Sequence, residues 1–554
     1  MKKTIVISLI VSNLLFGAST VTNMETTYTN KINTGSTIDN STVHQGKTSI
    51  HSSTVEDVEL KSGTVGNLIN NAQISDSSHV DQAVFLVNAT ADDKTARVGV
   101  VDESTDMDIK VTSDNTIQDS KINKGIIKQN YISTEDSTVN AMTIVQTNSI
   151  DNTDTDNDIA TDTDHPYNTN NATLSQGEFT FKNGAEVKNL TQEGTNNKIT
   201  GSRAENATMS QNSITVDAST IDNFKNTHGG DTDAPTNLIE NVDLSGTEGV
   251  EDGSIIQNRA LFTEEADVTN SETIQSNTVS GTTIEKVNIV QGDTQVAGST
   301  VQDFDTTFTN SISGGTIKST DDVIRTVEQG VLIVGGTGTK VTDIPWGDDE
   351  DNAASAEDDA NNVDITATNT LSDSTLSDSS LIQSKTTING DATVDGFEVD
   401  QTNIISKLDA SDAEDSTATR ATISQADTLI TGGSVSTLIQ NITNNIDSSQ
   451  LTDATLSQGD TSITGDSTVT TLTLGTKDSK IDNDVTSSDI TGESSDNKST
   501  LSQAKTTIKG STVTNVTILQ TNVVDSSSIT GGSTVTQGET TISDESLSDV
   551  TLDS

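Results

Sequence analysis

LSQAKTTIKGSTVTNVTI, Leu501 to Ile518, sets the frame for the whole chain. From Gln503, apolar residues follow at Ile508, Val513, Val516 and Ile518, with a Gly510-Ser511 step between the first and the second. At Gln537 the frame returns without a gap as Ile542, Leu547, Val550 and Leu552. It can also be laid on Gln45, Gln129, Gln176, Gln211, Gln257, Gln291, Gln383, Gln425 and Gln458. The second apolar position is never polar in these copies: it is Val55, Val139, Val187, Ile221, Val268, Val301, Val394, Val435, Val469, Val513 and Leu547. A spacing this regular marks a repeat architecture.

The residue types say what the repeat builds. Runs rich in Thr, Val and Ile favour strands, and Gly, Ser, Asn and Asp punctuate them as turns. One copy cannot bury its few apolar residues, whereas stacked copies align them into continuous rows. The expected fold is all-β, an elongated β-solenoid of Gln-centred repeats about 17 or 34 residues long, each copy reading as two short strands and two bends. A side-chain amide recurring once per rung can hydrogen-bond to its own copies in a ladder; the competing reading puts each Gln on a solvated face. A second Gln follows near seventeen residues later, as Gln146, Gln275, Gln401 and Gln520, so the repeat reads as two similar halves. One rung per half would give roughly 30 rungs at about 4.8 Å, a rod on the order of 150 Å; one rung per full repeat halves that.

The start of the chain has export chemistry. Met1-Lys2-Lys3 is basic, Thr4 to Phe16 is apolar, and Gly17-Ala18-Ser19 is small, the order of a secretory leader. The apolar run is too short to span a bilayer, and no later stretch reaches that length, so no membrane span is expected after cleavage. With 29 basic and 83 acidic residues, the formal charge of −54 argues against nucleic acid or anionic lipid as partners. Cysteine is absent, so an exported chain must be held by stacking or bound ions. Hydrophobic residues are 30% and aromatics 2% of the chain, too few for a thick globular core. That composition also fits disorder, and only the phased apolar positions speak against it.

The organisation expected is a leader at 1–19, repeats at 20–75, an irregular insertion at 76–115, repeats at 116–309, an irregular acidic insertion at 310–380 and repeats at 381–554. Between Asp151 and Asp164 the carboxylates Asp154, Asp156, Asp158 and Asp162 have the alternation of an oxygen-ligand calcium loop. Ile159 and His165 stand where such a loop wants Gly and Glu, so a solvated acidic loop competes with a weak calcium site. Calcium is the one cofactor the sequence allows. Trp346, the only tryptophan, lies beside the acidic tract 348–359 and reads as a cover for a rung end or as a sugar platform. The chain stops in mid-repeat, which leaves a strand edge to dock on another subunit, or a truncated sequence.

No catalytic constellation stands out. His44, His51, His79, His165 and His228 are scattered without cysteines, and there is no phosphate loop or nucleophile elbow. Carbohydrate-cleaving solenoids need carboxylates grouped with basic residues in a cleft, whereas here Asp is spread through the turns. The expectation is no enzyme.

The leader, Met1 to Ser19, and Gln-centred units such as Ser457-Gln458 and Ser502-Gln503 resemble exported bacterial β-solenoid proteins, namely adhesin stalks and curli-like fibre subunits. That resemblance implies a secreted or cell-surface bacterial protein, structural or adhesive, forming a stiff acidic rod that self-associates or meets surface and matrix glycans. One alternative is a Thr/Ser-rich face binding ice or glycan, carried by Thr506-Thr507 and Ser511-Thr512; another is a polysaccharide-degrading β-helix.

Overall fold

A computed structural model describes residues 12–16, 20–21, 24–32, 36–51, 54–55, 58–70, 73–75, 78–88, 97–98, 109–118, 121–123, 126–151, 168–170, 172–201, 203–205, 207–227, 237–245, 254–285, 287–318, 325–342, 363–377, 379–394, 396–411, 421–475, 481–491, 499–530, 533–543 and 546–553. The described elements are all strands. The chain divides into two units, the first holding 1–260, 274–291 and 314–316, the second the remainder. Each is a parallel β-solenoid.

The cleanest rung defines the strand set: β1 is Thr500–Gln503, β2 Thr506–Lys509, β3 Thr512–Asp525 and β4 Ser528–Thr530. Each pairs in parallel with its own counterpart one rung away, so Leu456, Leu501 and Val535 align, as do Gln458, Gln503 and Gln537. Period-2 alternation orients the side chains. Leu501 and Gln503 point in and Ser502 out; Thr506 and Ile508 point in, with Thr507 and Lys509 out. On β3 the apolar step from Val513 to Val516 is three residues because Asn515 takes a left-handed φ of 51° and shifts the parity by one. Asn189, Asn223 and Asn270 do the same on β3 strands of other rungs, with φ of 52°, 57° and 51°. Of the second apolar positions, Val139 through Val513 are at most 2% exposed; the side chains of Val55 and Leu547 lie outside those described.

The residue after each rung's Gln turns the β1–β2 corner in the left-handed region. It is Gly46, Ala83, Asn130, Gly177, Asn212, Asn258 and Gly292, then Gly330, Ser384, Ala426, Gly459, Ala504 and Gly538. Close approach adds to the demand at Gly459, where a Cβ would lie 3.1 Å from Asn483 Oδ1. Serine closes the β3–β4 corner. Ser449 Oγ donates to Asp447 O at 2.9 Å while accepting Leu408 N at 3.1 Å from the previous rung, and Ser488 repeats the pattern with Thr486 O and Ser449 N. The abundance of Ser thus answers buried backbone N–H groups at the corners.

One rung is one full repeat. Successive ladder glutamines lie 33 to 54 residues apart. The half-repeat reading fails because Gln520 sits on the same β3 strand that follows Gln503, and the rung has four strands rather than two. The stretches 76–115 and 310–380 also carry rung strands. His79–Gln82 pairs between Thr42–Gln45 and Ile126–Gln129, and Arg325–Gln329 pairs with Ser379–Gln383. At the other end, Ser12–Phe16, read from sequence as the last part of the leader's apolar run, lies in register against Lys47–His51.

Candidate functional site: amide ladders and a charged corner column

The eleven frame glutamines, together with Gln82 and Gln329, line an interior column in each unit. In the first unit Gln82 Nε2 donates to Gln45 Oε1 at 2.7 Å, and Gln129, Gln176, Gln211, Gln257 and Gln291 continue the chain at 2.7–2.8 Å. In the second, Gln383, Gln425, Gln458, Gln503 and Gln537 each donate to the preceding Gln at 2.7–2.9 Å, beginning at Gln329. The second N–H reaches across the rung to a β3 carbonyl, as from Gln503 to Asn483 O at 2.9 Å. Gln82 and Gln329 escaped the sequence frame because extra residues separate them from the second apolar position of their rungs, Val98 and Val341. Their signal was the left-handed Ala83 or Gly330, followed by Val87 or Val334 five residues after the Gln.

Sequence reasoning missed a second ladder altogether. Asn30, Asn67, Asn115, Asn148, Asn197, Asn237 and Asn277 are linked at 2.7–2.9 Å in the first unit. Asn310, Asn369, Asn403, Asn444, Asn483 and Asn522 are linked over the same range in the second. Here each Nδ2 donates to the following rung, opposite to the glutamines. The signal was the triplet Gln-x-Asn, as in Gln401-Thr402-Asn403 and Gln520-Thr521-Asn522, read from sequence only for its Gln.

Outside the ladder, the position two after each Gln forms a corner column. From Gln329 onward, in the second unit, it runs Val331, Lys385, Asp427, Asp460, Lys505, Glu539. Asp427 accepts Ser424 Oγ at 2.5 Å, Ser457 Oγ at 2.8 and 2.9 Å, and Asp460 N at 3.0 Å. Asp460 accepts Ser502 Oγ and Lys505 N, both at 2.8 Å. Burial, then the neighbouring Asp460, pushes the Asp427 carboxyl up to about 6. Burial raises Asp460 as well, against the Lys505 backbone and Ser502 bonds. These groups floor an open groove of about 250 Å³, walled by outward residues of β2 strands such as Leu429 and Ser462.

The first unit has a different cluster. Asp81, 3% exposed, meets His79 Nε2 at 2.6 Å, His44 Nδ1 at 2.7 Å and Lys47 Nζ at 3.3 Å. The His44 contact is a close pair without hydrogen-bond alignment. Burial works to raise Asp81, but the His79 hydrogen bond and the charges of His79, Lys47 and His44 outweigh it, so its pKa falls below the usual value. His44 is lowered, by burial first, against the pull of Asp81. Two histidines that looked scattered are thus one rung apart.

Other expected sites fall elsewhere. Asp154, Asp156, Asp158, Asp162 and Trp346 lie outside the described residues. Among the described residues no group of three or more His, Cys, Asp or Glu could hold a metal ion, and no helix is long and apolar enough to cross a membrane. Thr506 and Ser511 are 2% and 4% exposed, so only Thr507 and Thr512 of the expected hydroxyl face look outward. No family model, curated protein or solved structure matches this chain.

Proposed function

We propose that the protein is structural: an exported, cell-surface or secreted acidic solenoid that acts as a stiff spacer or adhesive stalk, with no catalytic role. The observation that supports this is where the repetition lies. The residues that recur, Gln, Asn, the β1 and β2 aliphatics and the corner Ser, face inward and join rung to rung. The position before Gln, which alternation turns away from the ladder, varies in the first unit as His44, Asp81, Lys128, Ser175, Ser210, Ile256 and Val290, and is Ser424, Ser457 and Ser502 on three rungs of the second. A repeat that holds its interior constant and lets its surface drift serves the stack itself.

The test is negative-stain microscopy and solution scattering of residues 20–554, with circular dichroism with and without calcium. Straight particles with a strong β spectrum support the reading, and filaments extend it to self-assembly. Flexible coils or compact globules overturn it. A leader is part of the same proposal; secretion of a tagged full-length chain with cleavage near Ser19 supports it, and an uncleaved, retained chain removes it.

A further inference from the structure

The groove over the corner column of the second unit is built unlike the rest of this acidic chain. Lys385, Asp427, Asp460 and Lys505 stand on successive rungs, so two cations flank two carboxylates and the four charges cancel, in a protein of net charge −54. With strands about 4.8 Å apart, the lysines bracket roughly 14 Å of floor. The carboxylates are fixed in place by Ser424, Ser457 and Ser502 hydroxyls and by backbone N–H groups. Lys385 Nζ has no partner among the described residues. Lys505 Nζ has one ion-pair contact among the described residues, Glu539 at 3.9 Å, and its charge also acts on Asp460. The wall adds an apolar side chain, Leu429, and a hydroxyl, Ser462, both on β2 strands and both half-buried.

We infer that this groove binds a neutral carbohydrate, with one sugar ring over Leu429 and its hydroxyls shared between the lysine donors and the Asp460 carboxylate as acceptor. A cationic ligand meets Lys385 and Lys505, and an anionic one meets Asp427 and Asp460. A hydrocarbon would bury the Lys385 ammonium without a partner. A sugar ring offers an apolar face for Leu429 and hydroxyls that both donate and accept. About 250 Å³ sits just below the usual size of small-molecule pockets and suits a single ring of a longer chain lying along the rungs. The inference stands apart from the structural reading above, because the stack holds with or without a ligand.

The test is saturation-transfer NMR and calorimetry on residues 20–554 with hexasaccharides of β-1,4-glucose, β-1,4-N-acetylglucosamine and α-1,4-glucose, and with spermine and a polyuronate as charged controls. At least one neutral sugar should bind. Leu429→Ser and Lys505→Gln should each weaken it about tenfold, the loss of one good contact. Ser462→Tyr, which fills the groove from an outward position, should abolish binding while leaving the melting temperature unchanged. Thr443→Val, on an outward β3 position, should leave binding intact. The inference is overturned if no neutral sugar binds, if a charged control binds in its place, or if the three groove variants bind as the parent does.

Discussion

Gln503 donates its side-chain N–H to Gln458 Oε1 at 2.8 Å, although the two residues lie 45 apart in sequence and both are fully buried. Each interior ladder glutamine accepts from one rung and donates to the other. Replacing Gln458 by Leu therefore leaves Gln503 without its acceptor and Gln425 without its donor. At about 1–3 kcal/mol for each orphaned group, the loss should be roughly 2–5 kcal/mol, read as a lower urea midpoint. Gln537→Leu, which orphans one group at a half-exposed rung, should cost less than half as much; equal losses would refute the ladder as the source.

The corner after each glutamine predicts opposite effects for two substitutions. Ala504 holds φ at 61°, a conformation that costs an L-residue about 1–2 kcal/mol, so Ala504→Gly should stabilise by up to about 1 kcal/mol after glycine's entropy is set against it. Gly459 holds φ at 66° with Asn483 against it, and Gly459→Val should destabilise by more than about 2 kcal/mol. Thermal melts of the two variants decide the point.

Asp427 predicts a pH dependence with a definite sign. Its folded pKa is raised to about 6 from the usual aspartate value of 3.8, so between those values the folded chain binds more protons than the unfolded one. Its contribution to stability therefore falls as pH rises from about 4 to 6 and stays low above that. Asp427→Asn should flatten this part of the stability profile relative to the parent. Parallel profiles for the two proteins would show that the shift is not there.

The Asp81 cluster predicts the reverse trend in the first unit. His44 is lowered, so its contribution is present above its unfolded pKa near 6.5 and is lost as pH falls through the folded value. Asp81, lowered below 3.8, loses its contribution only on stronger acidification. Hydrogen-exchange protection factors over residues 42–51 and 79–88, corrected for the intrinsic pH dependence of amide exchange, should fall between pH 7.5 and 5.5, and His44→Gln should remove most of that change. Protection factors that do not change with pH in the parent would count against the cluster.

The phased glutamines and valines were enough to read an all-β repeat with a polar column beside an apolar one, because side-chain alternation is a local property of a strand. The Val513 to Val516 step was visible too, although its cause, the left-handed Asn515, was not. Local pattern does not say how many strands pass before the chain closes on itself. Only the closed rung shows that Gln520 follows Gln503 within one turn, and that Asn483 and Asn522 form a ladder running against the glutamines. The candidate groove was illegible for the same reason. Lys385, Asp427, Asp460 and Lys505 each stand two residues after a frame Gln, a phase visible in the sequence, but local pattern does not say that this corner position opens onto a groove. Sequence alone determined the repeat and its apolar rows; the tertiary stack decided that Gln and Asn face inward and which distant residues meet, because hydrogen-bonded register across rungs brings together positions that chain distance keeps apart.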